Sequence, residues 1–288
     1  MYYNCFLIRP QDYKKYSEIS DIFPADPEDN SIIVGADNGE DGIILALIVC
    51  SPSITDRSMA HISYVWRRRQ DIDEVIFKEI FLEAQKELGI RKIKRLCLRV
   101  INVEGRSYSL MNPELLEEIG CTKEKKHGET LGYYLADFYD TAFMRSQVVK
   151  ASQDEHLVSF SLCTEKECLK YLKELQKENP DVDLSFMSRV PFSYFYIDKG
   201  KPVGALSLEH YGRGSCIMDG AIIRKCPTEG KVFRALLAGV LSGALDGEGM
   251  QMRLYVRMDD KEYIHVIEEN FGERSFWPEM TDYVYKVS

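Results

Sequence analysis

Histidine is scarce in this chain, with five in 288 residues. The eight cysteines (Cys5, Cys50, Cys97, Cys121, Cys163, Cys168, Cys216 and Cys226) form no C-x-x-C pair, and no zinc-ligand spacing occurs. The expectation is a protein without a metal. Long apolar runs are missing as well; IILALIVC is far too short to span a bilayer. The start, MYYNCFLIRP, has no basic stretch and no long apolar core, so it does not read as a signal peptide. Positive charge is in deficit: 37 Lys and Arg face 46 Asp and Glu, for a net charge of −9. That balance argues against a nucleic-acid surface, which needs clustered cations. Together these absences lead to the expectation of a cytoplasmic protein with reduced thiols, no nucleic acid and no membrane partner. An acidic chain suits a cationic substrate such as an amine, and suits plain solubility equally well. What is present, 45% hydrophobic and 29% charged residues, is the composition of a globular protein long enough for two domains.

The chain repeats itself. Gly42 and Gly200, Val65 and Ile223, Gly89 and Gly247, and Arg95 and Arg253 all lie the same 158 positions apart (42 to 200). Each copy starts with a strand (CFLIRP, LVSFSLC) that leads to a helix. In the second copy Thr164 and Glu167 are spaced as a capping box. Paired strands follow, SIIVGAD with GIILALIVC and FSYFYID with PVGALSLEH, joined by glycine-containing hairpin turns. Then come strand, turn, helix, strand, a short helix ending at Gly120 or Gly272, and an aromatic closing strand, LGYYLADFY or TDYVYKV. This order gives two mixed α/β sheets, each flanked by helices. The pattern lapses at 144–153, MRSQVVKASQ, which divides the chain into domains at 1–146 and 152–288.

The central helices differ. In the first copy Phe77, Ile80, Phe81, Ala84 and Leu88 form an apolar stripe with a charged opposite face. In the second, Phe233, Leu236, Leu237, Val240, Leu241 and Ala244 form the stripe, and Ala235, Ala238, Gly239, Ser242 and Gly243 fill the other side. A face of small residues suits tight packing between the halves or close approach of a ligand.

The strand–turn–helix at 218–245, its copy at 60–88, and the endings RLYVRM…HVIEENFGE and RLCLRV…NPELLEEIGC resemble the GNAT superfamily of acyl-CoA-dependent N-acyltransferases, present twice in tandem. The resemblance covers nearly the whole chain. It implies a turn whose backbone N–H groups hold the pyrophosphate of acetyl-CoA, bound as co-substrate, and a splay between the fourth and fifth strands that admits pantetheine. It places that ligand against Ile223, Arg224, Thr228, Gly230, Lys231, Val232 and Phe233. The family turn, Gln/Arg-x-x-Gly-x-Gly/Ala, is reduced here to Pro227-Thr228-Glu229-Gly230-Lys231-Val232-Phe233, with one glycine, and in the first copy to Arg69–Glu74, with none. The resemblance also implies that Asp219 stands where many members hold a catalytic glutamate, with His61 as its counterpart by the offset of 158 (61 to 219). The family's general-acid tyrosine is replaced by Leu116 and Glu268, which leaves Tyr263, His265 and Glu268 as proton donors.

Charge separates the copies. Asp71, Asp73 and Glu74 already neutralise the first helix start, whereas the second has Glu229 against Arg224, Lys225 and Lys231. The second copy is therefore the expected acyl-CoA site, with catalytic residues Asp219, Tyr263 and Glu268 and a small-molecule or peptide amine as acceptor. A homodimer stays open. The rival reading is a non-catalytic GNAT-like protein that binds a ligand or partner.

Overall fold

The computed structural model describes residues 3–9, 12, 30–39, 42–68, 74–103, 106–107, 113–124, 129–138, 140–182, 184, 187, 192–211, 214–248, 251–258 and 260–287. The chain forms two compact units. In the first repeat the elements are β1 (Asn4–Ile8), β2 (Ile32–Asp37), β3 (Ile44–Pro52), β4 (Met59–Arg67), α1 (Glu74–Ile90), β5 (Arg95–Val103), β6 (Arg106–Ser107), α2 (Pro113–Glu118), β7 (Thr122–Lys123) and β8 (Glu129–Tyr134). The helix expected after the first strand of this copy, and the turn at 69–73, lie outside the described residues. In the second repeat come β9 (Leu157–Ser159), α3 (Glu165–Gln176), β10 (Tyr194–Asp198), β11 (Lys201–His210), β12 (Ser215–Ile223), α4 (Glu229–Glu248), β13 (Arg253–Met258), α5 (Lys261–Phe271) and β14 (Pro278–Lys286).

The two sheets have one order. The first reads β1-β2-β3-β4-β5-β14-β7, and the second, from its other edge, β9-β10-β11-β12-β13-β8. In both, the central helix follows the fourth strand, as the repeat predicts. The last strand is exchanged: β8, from the first repeat, pairs with β13, and β14, from the second, lies between β5 and β7. The compact units part after Lys126 and after Pro278, with Tyr211, from between β11 and β12, belonging to the first. Aromatic residues of β14 account for part of its place: Tyr283 is buried in the first core, and Tyr285 sits edge-on to Phe81 of α1 with ring centroids 4.9 Å apart.

Local rules hold where they were read. Thr164 accepts from the Glu167 N–H while Glu167 Oε2 accepts from the Thr164 N–H at 2.9 Å, a complete capping box on α3. Lys199 and Gly200 both take positive φ (49° and 75°), the two-residue turn that suits the right-handed twist of β10 and β11. The apolar stripes of α1 and α4 are buried against their own sheets. The glycine face of α4 is covered from within its unit: a Cβ at Gly239 would meet Leu157 at 3.1 Å and Tyr194 at 3.5 Å, and one at Gly243 would meet Phe192 at 3.3 Å. These two glycines thus serve packing within the unit rather than packing between the halves.

All eight cysteines are reduced, and burial pushes the Cys50, Cys97 and Cys121 thiols up to about 12. A thiol that stays protonated when folded but ionises near pH 9 when unfolded leaves stability intact below pH 9 and erodes it as pH rises towards 12. Stability from urea unfolding should hold between about pH 7 and pH 9 and then fall, with Cys50 contributing to the fall; Cys50→Ala should flatten it. Equal slopes for parent and variant would contradict this. A second expectation concerns β8: a Cβ at Gly132 would run into the Phe276 ring, which packs on Tyr134 and Tyr255. Gly132→Ala should therefore destabilise by about 1–3 kcal/mol, as overpacking does, and an unchanged urea midpoint would show that the ring moves freely.

Candidate functional site

The site begins where two parallel strands stop pairing. β12 and β13 pair from Ser215 with Arg253 to Asp219 with Arg257, and no further. Beyond that point β12 stays on β11, with Ala221 opposite Leu206 and Ile223 opposite Gly204, while Met258 stays on β8 opposite Glu129. The cause is a bulge: two residues, Asp219 and Gly220, stand between the pairs Leu208–Met218 and Leu206–Ala221, and Gly220 takes φ +73°. The resulting cleft opens beside the start of α4. On its β12 side, Ile223 C=O accepts from Asn179 Nδ2 at 3.2 Å.

Asp219 sits at the crotch with a partner the sequence did not disclose. Arg257 Nη2 donates to Oδ2 at 2.6 Å and Nε to Oδ1 at 3.3 Å, with both side chains largely buried (9% and 13% exposed). Strand alternation put both residues on the sheet face opposite the α4 core, but their pairing follows only from the register. Glu209, opposite Ile217, is a further buried carboxylate on that face. Tyr263 donates to Glu229 Oε1 at 2.6 Å, and its ring stacks on Phe233 with centroids 4.5 Å apart. Burial, and then the Glu229 carboxylate, hold the Tyr263 hydroxyl neutral far above the ordinary tyrosine range. Glu268 accepts from Arg274, which also holds Glu129. His265 is exposed and faces Glu269. Each of the three expected catalytic side chains thus has its own protein partner.

The turn is only partly open. Glu229 N–H donates to Cys226 C=O, and Lys231 and Val232 N–H both donate to Thr228 C=O. A Cβ at Gly230 would meet nothing within 4 Å. Arg224 is drawn towards α3 by Glu174 and Glu178, whereas Val232 and Phe233 are buried in the core. Among the ligand-facing residues expected from the sequence, Gly230 and Lys231 are the exposed ones with room for a phosphate, together with Thr228. From Lys231 a groove of about 470 Å³ runs along α4, with Arg234, Ala235 and Ala238 on one wall and residues 146–157 on the other.

The first unit also parts its parallel strands, two residues earlier, and with a different content. β4 and β5 pair only from Met59 with Arg95 to His61 with Cys97. Arg95 N–H donates to Ser58 C=O, so by strand alternation Arg99 and Ile101 also face the gap. There the Tyr211 hydroxyl donates to Arg99 C=O at 3.0 Å and accepts from Ile101 N–H at 3.2 Å. The counterpart of Asp219 is not His61. β4 and β12 are related by 156 positions (59 to 215), because Met59 meets Arg95 where Ser215 meets Arg253. The residue at Asp219's place is Ser63, whose hydroxyl lies 2.8 Å from that of Ser51; His61 is buried two residues earlier, and Leu116 is buried in the first core.

No family model matches the chain, and no curated protein matches it. Among solved structures, a tandem GNAT protein from the clavulanic acid biosynthesis pathway aligns with 100% of this chain and 99% of its own, at 8% identity and TM-score 0.51. Saccharomyces cerevisiae N-myristoyltransferase, solved with myristoyl-CoA and inhibitors, aligns over 99% of this chain and 80% of its own, at 8% identity and TM-score 0.50. The fold is a tandem GNAT-like fold.

The Asp219–Arg257 pair gives a direct test of the crotch. Arg257→Gln takes the opposite charge away from a buried carboxylate and should cost about 3–5 kcal/mol in urea unfolding. Combining it with Asp219→Asn should restore much of that loss, and strictly additive losses would show that the two side chains do not depend on each other.

Proposed function

We propose that the protein is an acyl-CoA-dependent N-acyltransferase whose second unit binds acetyl-CoA and transfers the acetyl group to an amine, either a small molecule or a peptide. The observation that carries this reading is the parting of β12 and β13 at Asp219, beside the turn that starts α4, in a tandem GNAT-like fold. Thr228, Gly230 and Lys231 would take the pyrophosphate, aided by the positive end of a 20-residue helix. The β12 edge beyond the bulge would take the pantetheine. In the first unit Tyr211 already bonds the strand edge that faces the gap, so that unit is the supporting one.

Attack of an amine on a thioester forms the N–C bond and breaks the C–S bond; the amine loses a proton and the departing thiolate gains one. Tyr263 is the proposed donor to the thiolate, because it is the neutral O–H beside the turn; giving up that proton means releasing its hydrogen bond to Glu229. Asp219 is the carboxylate at the cleft nearest the strand edge, and accepting a proton there means releasing a bond from Arg257. Glu268, bound to Arg274, has no step in this scheme. A second reading, ligand binding without transfer, is favoured by one observation: Asp219, Tyr263 and Glu268 all have protein partners already.

Acetyl-CoA at 100 times its Kd should stabilise the fold by about 2.7 kcal/mol, and radiolabelled acetyl-CoA should transfer label to one member of a panel of amines. Tyr263→Phe should lower kcat by about 10²–10⁴-fold with little change in acetyl-CoA affinity. Stabilisation without transfer to any amine would support the second reading, and the absence of both would dismiss the pair.

A further inference from the structure

Proton transfer to Asp219 has a consequence for the charge beside it. Asp219, Gly220 and Ala221 are partly exposed in a strand whose other residues are buried, so the cleft is entered at the bulge. Two donors of one guanidinium, Arg257 Nη2 and Nε, end on the two oxygens of the Asp219 carboxylate, at 2.6 Å and 3.3 Å. Once Asp219 takes a proton it is neutral, and one of its oxygens becomes a donor that cannot accept as the carboxylate did. The Arg257 side chain is 9% exposed, so water replaces little of that loss. The register sets Asp219 beside Arg257 and Glu209 two strands away, which makes Asp219 the carboxylate whose place a ligand can take.

We infer that the acceptor carries a carboxylate on the carbon next to its amine, as a free α-amino acid does, and that Arg257 reads that carboxylate. The inference rests on the acyl-transfer reading above and narrows its acceptor. The incoming carboxylate takes over the two-pronged contact from Asp219. Only one carbon separates it from the amine nitrogen, which therefore lies against the released Asp219. The acceptor attacks as the free amine: its lone pair forms the N–C bond, and the C–S pair leaves on sulfur. The nitrogen's proton passes to Asp219 and the Tyr263 proton to sulfur, and exchange with solvent restores both side chains. The products are an N-acetylamino acid, its carboxylate still on Arg257, and the thiol of CoA. A plain amine brings no anion for the guanidinium, and a peptide N-terminus brings a neutral amide. A polar site rejects a ligand that leaves its buried groups unpaired more strongly than an apolar site rejects a misfit.

The test measures thiol release from acetyl-CoA with a panel of free amino acids, each beside its methyl ester and the amine that lacks the carboxyl group. Rates are compared as kcat/KM, corrected for the fraction of free amine. For the amino acid that the parent acetylates best, the free acid should exceed both neutral analogues by about 10-fold or more, as for hydrogen bonds to charged groups. Arg257→Lys keeps the charge but not the fork, and should shrink that ratio; Arg257→Gln, where it folds, should abolish it. A parent that acetylates esters or plain amines as well as the free acids would overturn the inference and leave acyl transfer intact. A ratio unchanged in Arg257→Lys would overturn it too, because the carboxylate would then be read elsewhere. Failure of the parent to acetylate any member of the panel would overturn the acyl-transfer reading and this inference with it.

Discussion

A parallel ladder that ends after five residues on each strand is the constraint on which the rest depends. Parallel strands continue to pair while their registers match, and an extra residue on one of them ends the match. In β12 the extra residue falls at Asp219–Gly220, where glycine accepts the left-handed backbone. Past the bulge each strand follows its outer neighbour, β12 along β11 and β13 along β8, and the sheet opens. The Asp219–Arg257 pair spans the last matched position and places two opposite charges where the opening begins. Burial there costs each charge its hydration, and the two-pronged contact offsets that cost.

Two openings from one plan lead to different outcomes. Both units interrupt the ladder, the first after three pairs and the second after five, so an interruption belongs to the repeat while its position belongs to each copy. What fills it belongs to each copy. In the first unit a tyrosine hydroxyl satisfies a backbone carbonyl and an amide that face the gap. In the second, Asn179 reaches only the last carbonyl of β12, and the helix start next to it carries exposed Gly230 and Lys231. The Glu229–Tyr263 contact joins that helix start to α5 and fixes a neutral hydroxyl beside the turn.

Much of this was legible from local pattern. The order of elements, the apolar stripes of the two central helices and the Thr164–Glu167 cap depend on residues a few positions apart, and the sequence shows them directly. The exchange of β8 and β14 was not legible. Strand partners are chosen across the whole chain, and two aromatic strands of similar character fit either sheet by pattern alone. The shift that makes Ser63 the counterpart of Asp219 was hidden because the landmarks on the flanking elements keep the offset of 158 (95 to 253) while β4 and β12 slip by two. Arg257 read as one more residue of an alternating strand, and only the register gives it Asp219.

The central claim is that acyl-CoA occupies the opening of the second unit and leaves that of the first untouched. Hydrogen–deuterium exchange with and without acetyl-CoA tests this most directly, because it reads both openings in one experiment. The account predicts slower exchange over 220–235, at the end of β12 and the start of α4, with 61–68 and 97–101 unchanged. Protection in the first unit's opening, or none in either, would contradict it.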